Sequence, residues 1–230
     1  MPSTPLIHAA GVKKVYQRGS QEIVALWDTD LSILPGEFVV ILGPSGSGKS
    51  TLLHLLGAID RPTHGQLLVN GVDLVAASES ALTRFRRDNL GFIFQFYNLL
   101  PSLNALDNVT LPLLAKGLGW KASRQRAAAM LDQVGLDHRQ QHTPAQLSGG
   151  EQQRVAIARA MVLEPCLILA DEPTGDLDSA SANAIIHLMA ELKARLGITF
   201  IVATHNLNLL PVASRLFELE DGHLHPMGVH

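Results

Sequence analysis

The sequence predicts an α/β fold in which one domain combines a parallel β-sheet, an antiparallel β layer near the N-terminus and an inserted group of helices. Two observations lead to this prediction: short apolar runs alternate with helical patterns after residue 35, and residues 102–160 read mostly as helix. The domain is predicted to span residues 6–225, with the core and the β layer in 6–94 and 161–225 and the helical part at about 95–160.

Short apolar runs define the strands. The antiparallel layer is predicted from the runs Leu6–Ala9, Val24–Ile33 and Gln66–Val69. A hairpin signal, Asn70-Gly71, follows the last of these runs, and a second one, Asp221-Gly222, predicts a terminal hairpin. Runs rich in β-branched residues predict buried parallel strands at Glu37–Leu42, Leu167–Ala170 and Ile198–Ala203.

Two helices flank the predicted parallel strands. Lys49–Ile59 has leucines on several of its sides, which is typical of a buried helix. Residues 179–196 place their apolar side chains on one face and end at Gly197, as an amphipathic helix does. Strand, helix and strand therefore alternate along the predicted core.

Composition narrows the classes of function. Hydrophobic residues make up 47% of the 230 residues and charged residues 17%, so the chain is predicted to fold around a core. The formal net charge of -3 and an aromatic content of 5% disfavour nucleic acid as a partner. The single cysteine, Cys166, permits no intrachain disulfide. The sequence has no apolar run of the ~20 residues that a spanning helix needs, so any membrane-spanning part is expected to come from another chain.

A phosphate-binding loop is predicted between the first core strand and its helix. The residues from Gly43 to Ser50 fit the pattern G-x4-G-K-[ST], and the flanking strand and helix disfavour an ordinary Gly/Ser loop. Glycines let backbone N–H groups approach phosphate oxygens, Lys49 supplies a positive charge, and the Ser50 hydroxyl can ligate Mg²⁺. The residues assigned to nucleotide binding here are Gly43, Pro44, Ser45, Gly46, Ser47, Gly48, Lys49, Ser50 and Thr51.

A pair of acids follows the second core strand. Asp171 and Glu172 lie at the carboxyl end of that strand, where open α/β sheets bind ligands. Asp171 is predicted to hold Mg²⁺ through its water shell, and Glu172 to orient the attacking water. The alternative is a helix-capping pair before Pro173. His205 follows the third core strand and could contact the γ-phosphate or the water, although a lone histidine is often structural.

The stretch from Leu147 to Arg154, Leu-Ser-Gly-Gly-Glu-Gln-Gln-Arg, resembles the signature sequence of ABC ATPases. The phosphate loop, this signature, the Asp-Glu strand and the histidine stand in the order that this family uses. The resemblance implies a P-loop NTPase core of the RecA-like type, ATP hydrolysis with Mg²⁺, and a homodimer. In that dimer ATP would lie between Lys49 of one subunit and Ser148, Gly149 and Gly150 of the other.

Three further positions are assigned through the resemblance. Tyr16 is similar to the aromatic residue that stacks on adenine, although it could instead pack in the β layer. Gln95 is similar to the glutamine that touches Mg²⁺ and the water, with an exposed polar residue as the alternative. Asp178 is similar to the acid of the loop that crosses the dimer interface, and it could also cap the helix beginning near Ser179.

A narrower group within the family is suggested by Phe94–Pro101, Asn108–Leu113 and Glu172–Asp178. These stretches resemble the lipoprotein-releasing, macrolide-export and cell-division ATPases, although Asp176 stands where that group commonly has Asn. The resemblance implies a peripheral position on the cytoplasmic face of the inner membrane and a separate integral membrane permease. The apolar stretch Phe92–Leu103 would line the docking groove, or belong to the ordinary core.

A cell-division regulator is the alternative function. ATPases that act on DNA or ribosomes are disfavoured, because the chain has one cassette and no coiled-coil or zinc insertion.

Overall fold

The computed structural model describes residues 4–228, which form two β-sheets and a set of helices. The strands are β1 (Ile7–Arg18), β2 (Gln21–Ile33), β3 (Phe38–Leu42), β4 (His64–Val69), β5 (Val72–Asp73), β6 (Leu90–Phe94), β7 (Leu167–Asp171), β8 (Thr199–Thr204), β9 (Arg215–Glu220) and β10 (His223–Met227). The helices are α1 (Lys49–Leu56), α2 (Glu79–Asn89), α3 (Ala105–Ala115), α4 (Trp120–Gln133), α5 (Gly149–Met161) and α6 (Ser179–Leu196). The predicted α/β architecture with an antiparallel layer is confirmed.

The larger sheet brings distant parts of the chain to one edge. Its order is β10-β9-β3-β8-β7-β6, and all its pairs are parallel except β10 with β9. Leu42 pairs with Thr204, and Asp171 pairs with Ala203, so the strands β3, β7 and β8 end side by side. The loops that follow these three strands therefore meet at the carboxyl edge of the sheet.

Strand β6 is an element that sequence reasoning did not predict. It begins at Leu90, directly after α2 ends at Asn89, and it pairs in parallel with β7. The first residues of the apolar stretch Phe92–Leu103 belong to this strand, which lies at one edge of the sheet. The strand delivers Gln95 to the carboxyl edge.

Two apolar cores lie on opposite faces of the larger sheet. Phe38 and Val40 point into the core formed with α3 to α6, whereas Val39 and Ile41 point into the core formed with α1 and the antiparallel sheet. All four side chains are at most 1% exposed, which explains why β3 reads as a continuous apolar run. Within residues 4–228, no helix combines the length and the apolar character that crossing a membrane requires.

Candidate functional site

The phosphate loop connects β3 to α1 and curls around the amine of Lys49. Gly48 adopts a left-handed conformation (φ 107°) immediately before α1 begins at Lys49. The Lys49 side chain turns back, and its Nζ donates hydrogen bonds to the carbonyl oxygens of Gly43 (2.7 Å) and Pro44 (3.0 Å). The positive charge is thus held against the loop rather than extended into solvent, and Lys49 is only 7% exposed.

The β9–β10 turn supports the loop from behind. The backbone N–H of Gly222 donates to the carbonyl oxygen of Ser47 (3.1 Å), and the carbonyl oxygen of Gly222 accepts from Trp27 on β2 (2.9 Å). Gly43 lies so close to the carbonyl oxygen of Leu219 that a Cβ atom at Gly43 would collide with it. The loop is therefore clamped between the terminal hairpin and the antiparallel sheet.

Glu172 lies directly opposite Lys49. Its Oε2 accepts hydrogen bonds from the Thr204 hydroxyl (2.9 Å) and from the backbone N–H of His205 (3.3 Å). Its Oε1 lies 3.0 Å from Nδ1 of His205 and 3.8 Å from Nζ of Lys49. The backbone of Glu172 is left-handed (φ 45°), and its N–H still donates to Ala203 on the neighbouring strand. The carboxylate is therefore fixed by the ends of β7 and β8, between the lysine and the histidine.

A cleft of about 770 Å³ opens above the phosphate loop. It brings together most of the residues that the sequence assigned to ATP, to Mg²⁺ and to hydrolysis; these are Ser45, Gly46, Gly48, Lys49, Ser50, Thr51, Gln95, Asp171, Glu172 and His205. Sequence reasoning missed the other lining residues, which are Ile23, Val24, Ala25, Phe94, Phe96, Asn98, Asp221 and Gly222. The sequence signals at these positions indicated other features and not a ligand site: a hairpin at Asp221-Gly222, a strand at Val24 and Ala25, and the docking groove or core in the apolar stretch Phe92–Leu103.

The start of α5 carries the signature residues. Ser148 caps this helix: its hydroxyl accepts from the N–H of Glu151 (3.3 Å), and Glu151 Oε2 accepts from the N–H of Ser148 (2.8 Å). The Ser148 N–H, together with the nearby guanidinium of Arg139, holds the pKa of Glu151 below its ordinary value. In the described part of the chain, Ser148 and Gly150 line a separate hollow of about 390 Å³ beside Ser181, and not the cleft above Lys49.

Asp178 and Gly149 lie next to this second hollow. Asp178 caps α6, because its Oδ1 accepts from the N–H groups of Ala180 and Ser181 at 3.0 Å each. A Cβ atom at Gly149 would lie 2.9 Å from the hydroxyl of Tyr97 and 3.2 Å from Leu177. The capping role foreseen for Asp178 is thus present in the structure, and its role at a dimer interface stays a prediction.

Comparison with known protein families shows to which family the chain belongs. Residues 26–175 match the ABC transporter family. The chain belongs to this family. It is the ATP-binding and ATP-hydrolysing subunit of an ABC transporter.

Relatives of this ABC subunit are similar to it along nearly their whole length. The lipoprotein-releasing system ATP-binding protein LolD of Coxiella burnetii is 45% identical over 225 residues, which cover 97% of each chain. The protein of the same name from Idiomarina loihiensis is 46% identical over 220 residues, covering 96% of each chain. Among solved structures, the dimeric post-hydrolysis state of the ATP-binding cassette MJ0796, bound to ADP and Pi, has a TM-score of 0.89 and 41% identity. That match covers 97% of this chain and 99% of MJ0796.

Tyr16 of the ABC subunit lies beside the cleft. It pairs with Ile23 across the β1–β2 ladder, so the two side chains share one face, and Ile23 lines the cleft. The Tyr16 hydroxyl donates to Oδ2 of Asp60 (2.9 Å), and Nζ of Lys14 lies 4.8 Å from the ring centroid. Burial and the Asp60 carboxylate raise the pKa of Tyr16. Burial would raise the pKa of Asp60 too, but hydrogen bonds from Lys14, Arg61 and Tyr16 lower it overall.

The cation site foreseen for the ABC subunit consists of oxygen donors. The Ser50 hydroxyl, the side-chain amide of Gln95 and the Asp171 carboxylate all line the cleft. Mg²⁺ prefers hard oxygen ligands and keeps several of its waters, so this donor set fits it. Gln95 uses its nitrogen elsewhere: Nε2 donates to Oδ1 of Asp176 (3.0 Å), which leaves the amide oxygen available.

Proposed function

We propose that this chain is the ATPase subunit of a lipoprotein-releasing type of transporter. It works as a homodimer at the cytoplasmic face of the inner membrane and drives a separate membrane permease. The observation that carries the proposed chemistry is the convergence of Lys49, Glu172 and His205 at one cleft, with 3.8 Å between the Lys49 amine and the Glu172 carboxylate. The names of the curated relatives favour lipoprotein release over the cell-division alternative.

In this proposal each group in the cleft has one task. The N–H groups of the phosphate loop and Lys49 bind the β- and γ-phosphates, and Glu172 orients the attacking water and accepts its proton. His205 holds the γ-phosphate or the water. Ser50, Gln95 and Asp171 would hold Mg²⁺, which neutralises charge on the phosphates when bound. Thr204 and the His205 N–H keep the Glu172 carboxylate aimed at the cleft.

The separation of the two phosphate-facing sites supports a composite site between two copies. Ser148 and Gly150 open onto a hollow of their own, away from Lys49 of the same chain. The N-terminus of α5 can therefore bind a phosphate that another subunit holds, because a helix N-terminus attracts anions. ATP then lies between Lys49, Ser50 and Tyr16 of one copy and Ser148, Gly149 and Gly150 of the other, with Asp178 at the contact. Binding closes the dimer, and hydrolysis opens it.

The proposed partner outside the dimer is the permease. Residues 6–225 act as one ABC ATPase unit, and its helical part, about 95–160, contacts the permease. A groove of about 490 Å³ between β6 and the helices supports this docking site. Three residues of the apolar stretch Phe92–Leu103, namely Phe92, Phe94 and Asn98, line this groove together with Pro112 and Arg159.

The test is ATP turnover by the purified chain, with Glu172→Gln as the decisive variant. Because a positioned base contributes ~10²–10⁴ in rate, turnover should fall about 10²-fold or more while ATP binding persists. Glu191→Gln is the matched control, since Glu191 lies on the exposed side of α6 beside Arg195. Near-normal turnover in Glu172→Gln would remove Glu172 from this role.

Depletion of the chain in its host should leave lipoproteins in the inner membrane. Normal sorting of lipoproteins after depletion would contradict the proposed transport role.

A further inference from the structure

The side-chain amide of Gln95 is held on one side by the loop that follows β7. Its Nε2 lies 3.0 Å from Oδ1 of Asp176. A Cβ atom at Gly175 would lie 3.1 Å from both Cδ and Nε2 of Gln95, so the amide rests against the backbone of Gly175. Two neighbouring residues of one loop thus fix where the Gln95 amide lies.

The chemistry of this pair sets the direction of the amide. A glutamine amide has one end that accepts and one end that donates, whereas an ionised carboxylate only accepts hydrogen bonds. The nitrogen of Gln95 must therefore face Asp176. An asparagine at position 176 would impose no such choice, because it could donate to the oxygen of Gln95 or accept from its nitrogen.

Gln95 also lines the nucleotide cleft, together with Ser50 and Asp171, whereas Asp176 is outside the lining in the described residues. Because Nε2 is bonded to Asp176, the oxygen is the end of the amide that remains for a ligand in the cleft. We propose that Asp176 is a positioning residue that turns the Gln95 side-chain oxygen toward the bound cation and its water. The inference rests on the proposed function, because it requires that Gln95 contacts Mg²⁺. The inference gives a role to Asp176, the position at which this chain has aspartate and the lipoprotein-releasing group commonly has asparagine.

The experiment measures how much Mg²⁺ strengthens ATP binding. The measured quantity is the ratio of the ATP dissociation constant in EDTA to that in Mg²⁺, determined by calorimetry with Glu172→Gln in every protein to prevent turnover. Asp176→Asn should lower this ratio roughly three- to tenfold, the loss expected for one charge-assisted hydrogen bond near the surface. ATP binding in EDTA should not change, and this also verifies that the variant is folded.

A double-mutant cycle separates positioning from simple charge. If Asp176 acts through Gln95, then Asp176→Asn has no further effect in a Gln95→Ala protein, because the amide is already absent. An equal reduction of the ratio in both backgrounds would mean that Asp176 acts only as a negative charge, and would overturn the inference.

Failure of the inference and failure of the proposed function give different results. A ratio that responds to Gln95→Ala but not to Asp176→Asn overturns the inference alone. Absence of Mg²⁺-dependent ATP binding in the Glu172→Gln parent protein overturns the proposed function, and the inference with it.

Discussion

The backbone N–H of Gly222 donates a hydrogen bond of 3.1 Å to the carbonyl oxygen of Ser47, and so ties the β9–β10 turn to the phosphate loop. Gly222 has a φ of +80°, and a Cβ atom there would lie 3.0 Å from the carbonyl oxygen of Ala25. Ala25 and Gly222 both line the cleft above the phosphate loop. The turn therefore determines how closely β2 and the phosphate loop approach each other.

Gly222→Ala is predicted to weaken ATP binding about three- to tenfold, because the added methyl group pushes the turn away from Ala25 and weakens the bond to Ser47. Gly71→Ala is the control: its φ is +74°, and no described atom lies within 4 Å of a Cβ atom there. Both variants introduce similar backbone strain, but only Gly222 touches the phosphate loop. Equal ATP affinities of the two variants, measured by calorimetry, would contradict the supporting role of the turn.

Ser148→Arg is predicted to stop ATP-driven dimerisation while the monomer still binds ATP. The reason is that Ser148 lies in a hollow apart from Lys49 of its own chain, so the arginine would block only a partner's phosphate. Sedimentation with Glu172→Gln present measures dimerisation, and nucleotide titration of the dilute protein measures binding. Loss of ATP binding by the monomer would argue for a site within one chain.

A mixed dimer of Lys49→Ala and Ser148→Arg subunits sharpens this test. If each site is formed by Lys49 of one subunit and Ser148 of the other, one site of this dimer contains both substitutions. The second site contains the unmutated Lys49 and the unmutated Ser148. One occluded ATP per mixed dimer is therefore expected, with Glu172→Gln in both subunits and association verified by cross-linking. No occluded ATP, under conditions in which unmutated halves occlude two, would count against the composite site.

Glu151→Gln is predicted to destabilise the chain in a pH-dependent way. The pKa of Glu151 is lowered in the folded state, so its contribution is complete above the ordinary value of 4.5 and is lost as the pH falls through the lower folded value. A glutamine oxygen can still accept from the Ser148 N–H, so the substitution removes only the negative charge near the N-terminus of α5 and beside Arg139. Near neutral pH the loss of this charge should cost about 0.3–1 kcal/mol, or roughly 1–4 °C in Tm. The difference should shrink in acid. Glu191→Gln, on the exposed side of α6, should show no such trend in thermal unfolding.

Tyr16→Ala is predicted to weaken ATP binding roughly tenfold, the usual contribution of an aromatic ring stacked on a base. Tyr16→Phe should have a smaller effect, because it keeps the ring and loses only the hydrogen bond to Asp60. Inorganic tripolyphosphate has no base, so its binding should be the same in all three proteins. If tripolyphosphate binding falls in parallel with ATP binding, Tyr16 acts through the fold and not through adenine.

Much of the fold could be predicted because the decisive signals are local. The phosphate loop is a short pattern between a strand and a helix, and Asp171 directly follows an apolar run. Strand β6 is not predicted because α2 ends at Asn89 and the strand begins at the next residue, Leu90. No loop separates the two elements and marks where the strand begins. The predicted run Leu6–Ala9 covers only the start of β1. Register shifts between Ala9 and Val15 interrupt the alternation of buried and exposed side chains, so the sequence pattern does not reveal the rest of the strand.

The missed parts of the candidate site depend on tertiary contacts. Ile23, Val24 and Ala25 line the cleft only because the antiparallel sheet packs beside the phosphate loop, and no motif announces this packing. The bond from Gly222 to Ser47 joins two loops far apart in the chain. Pattern and periodicity report on neighbours along the chain, so contacts of this kind become visible only in three dimensions.

The position of β3 in the middle of the larger sheet has a consequence for the order in which the protein matures. Phe38 pairs with Phe200 on one side, and Val39 pairs with Arg215 on the other. A growing chain on the ribosome therefore displays the complete phosphate-loop sequence long before either neighbouring strand has been synthesised. We therefore expect the new chain to bind nucleotide tightly only after β8, β9 and the turn at Gly222 have been synthesised and have packed against β3 and the phosphate loop.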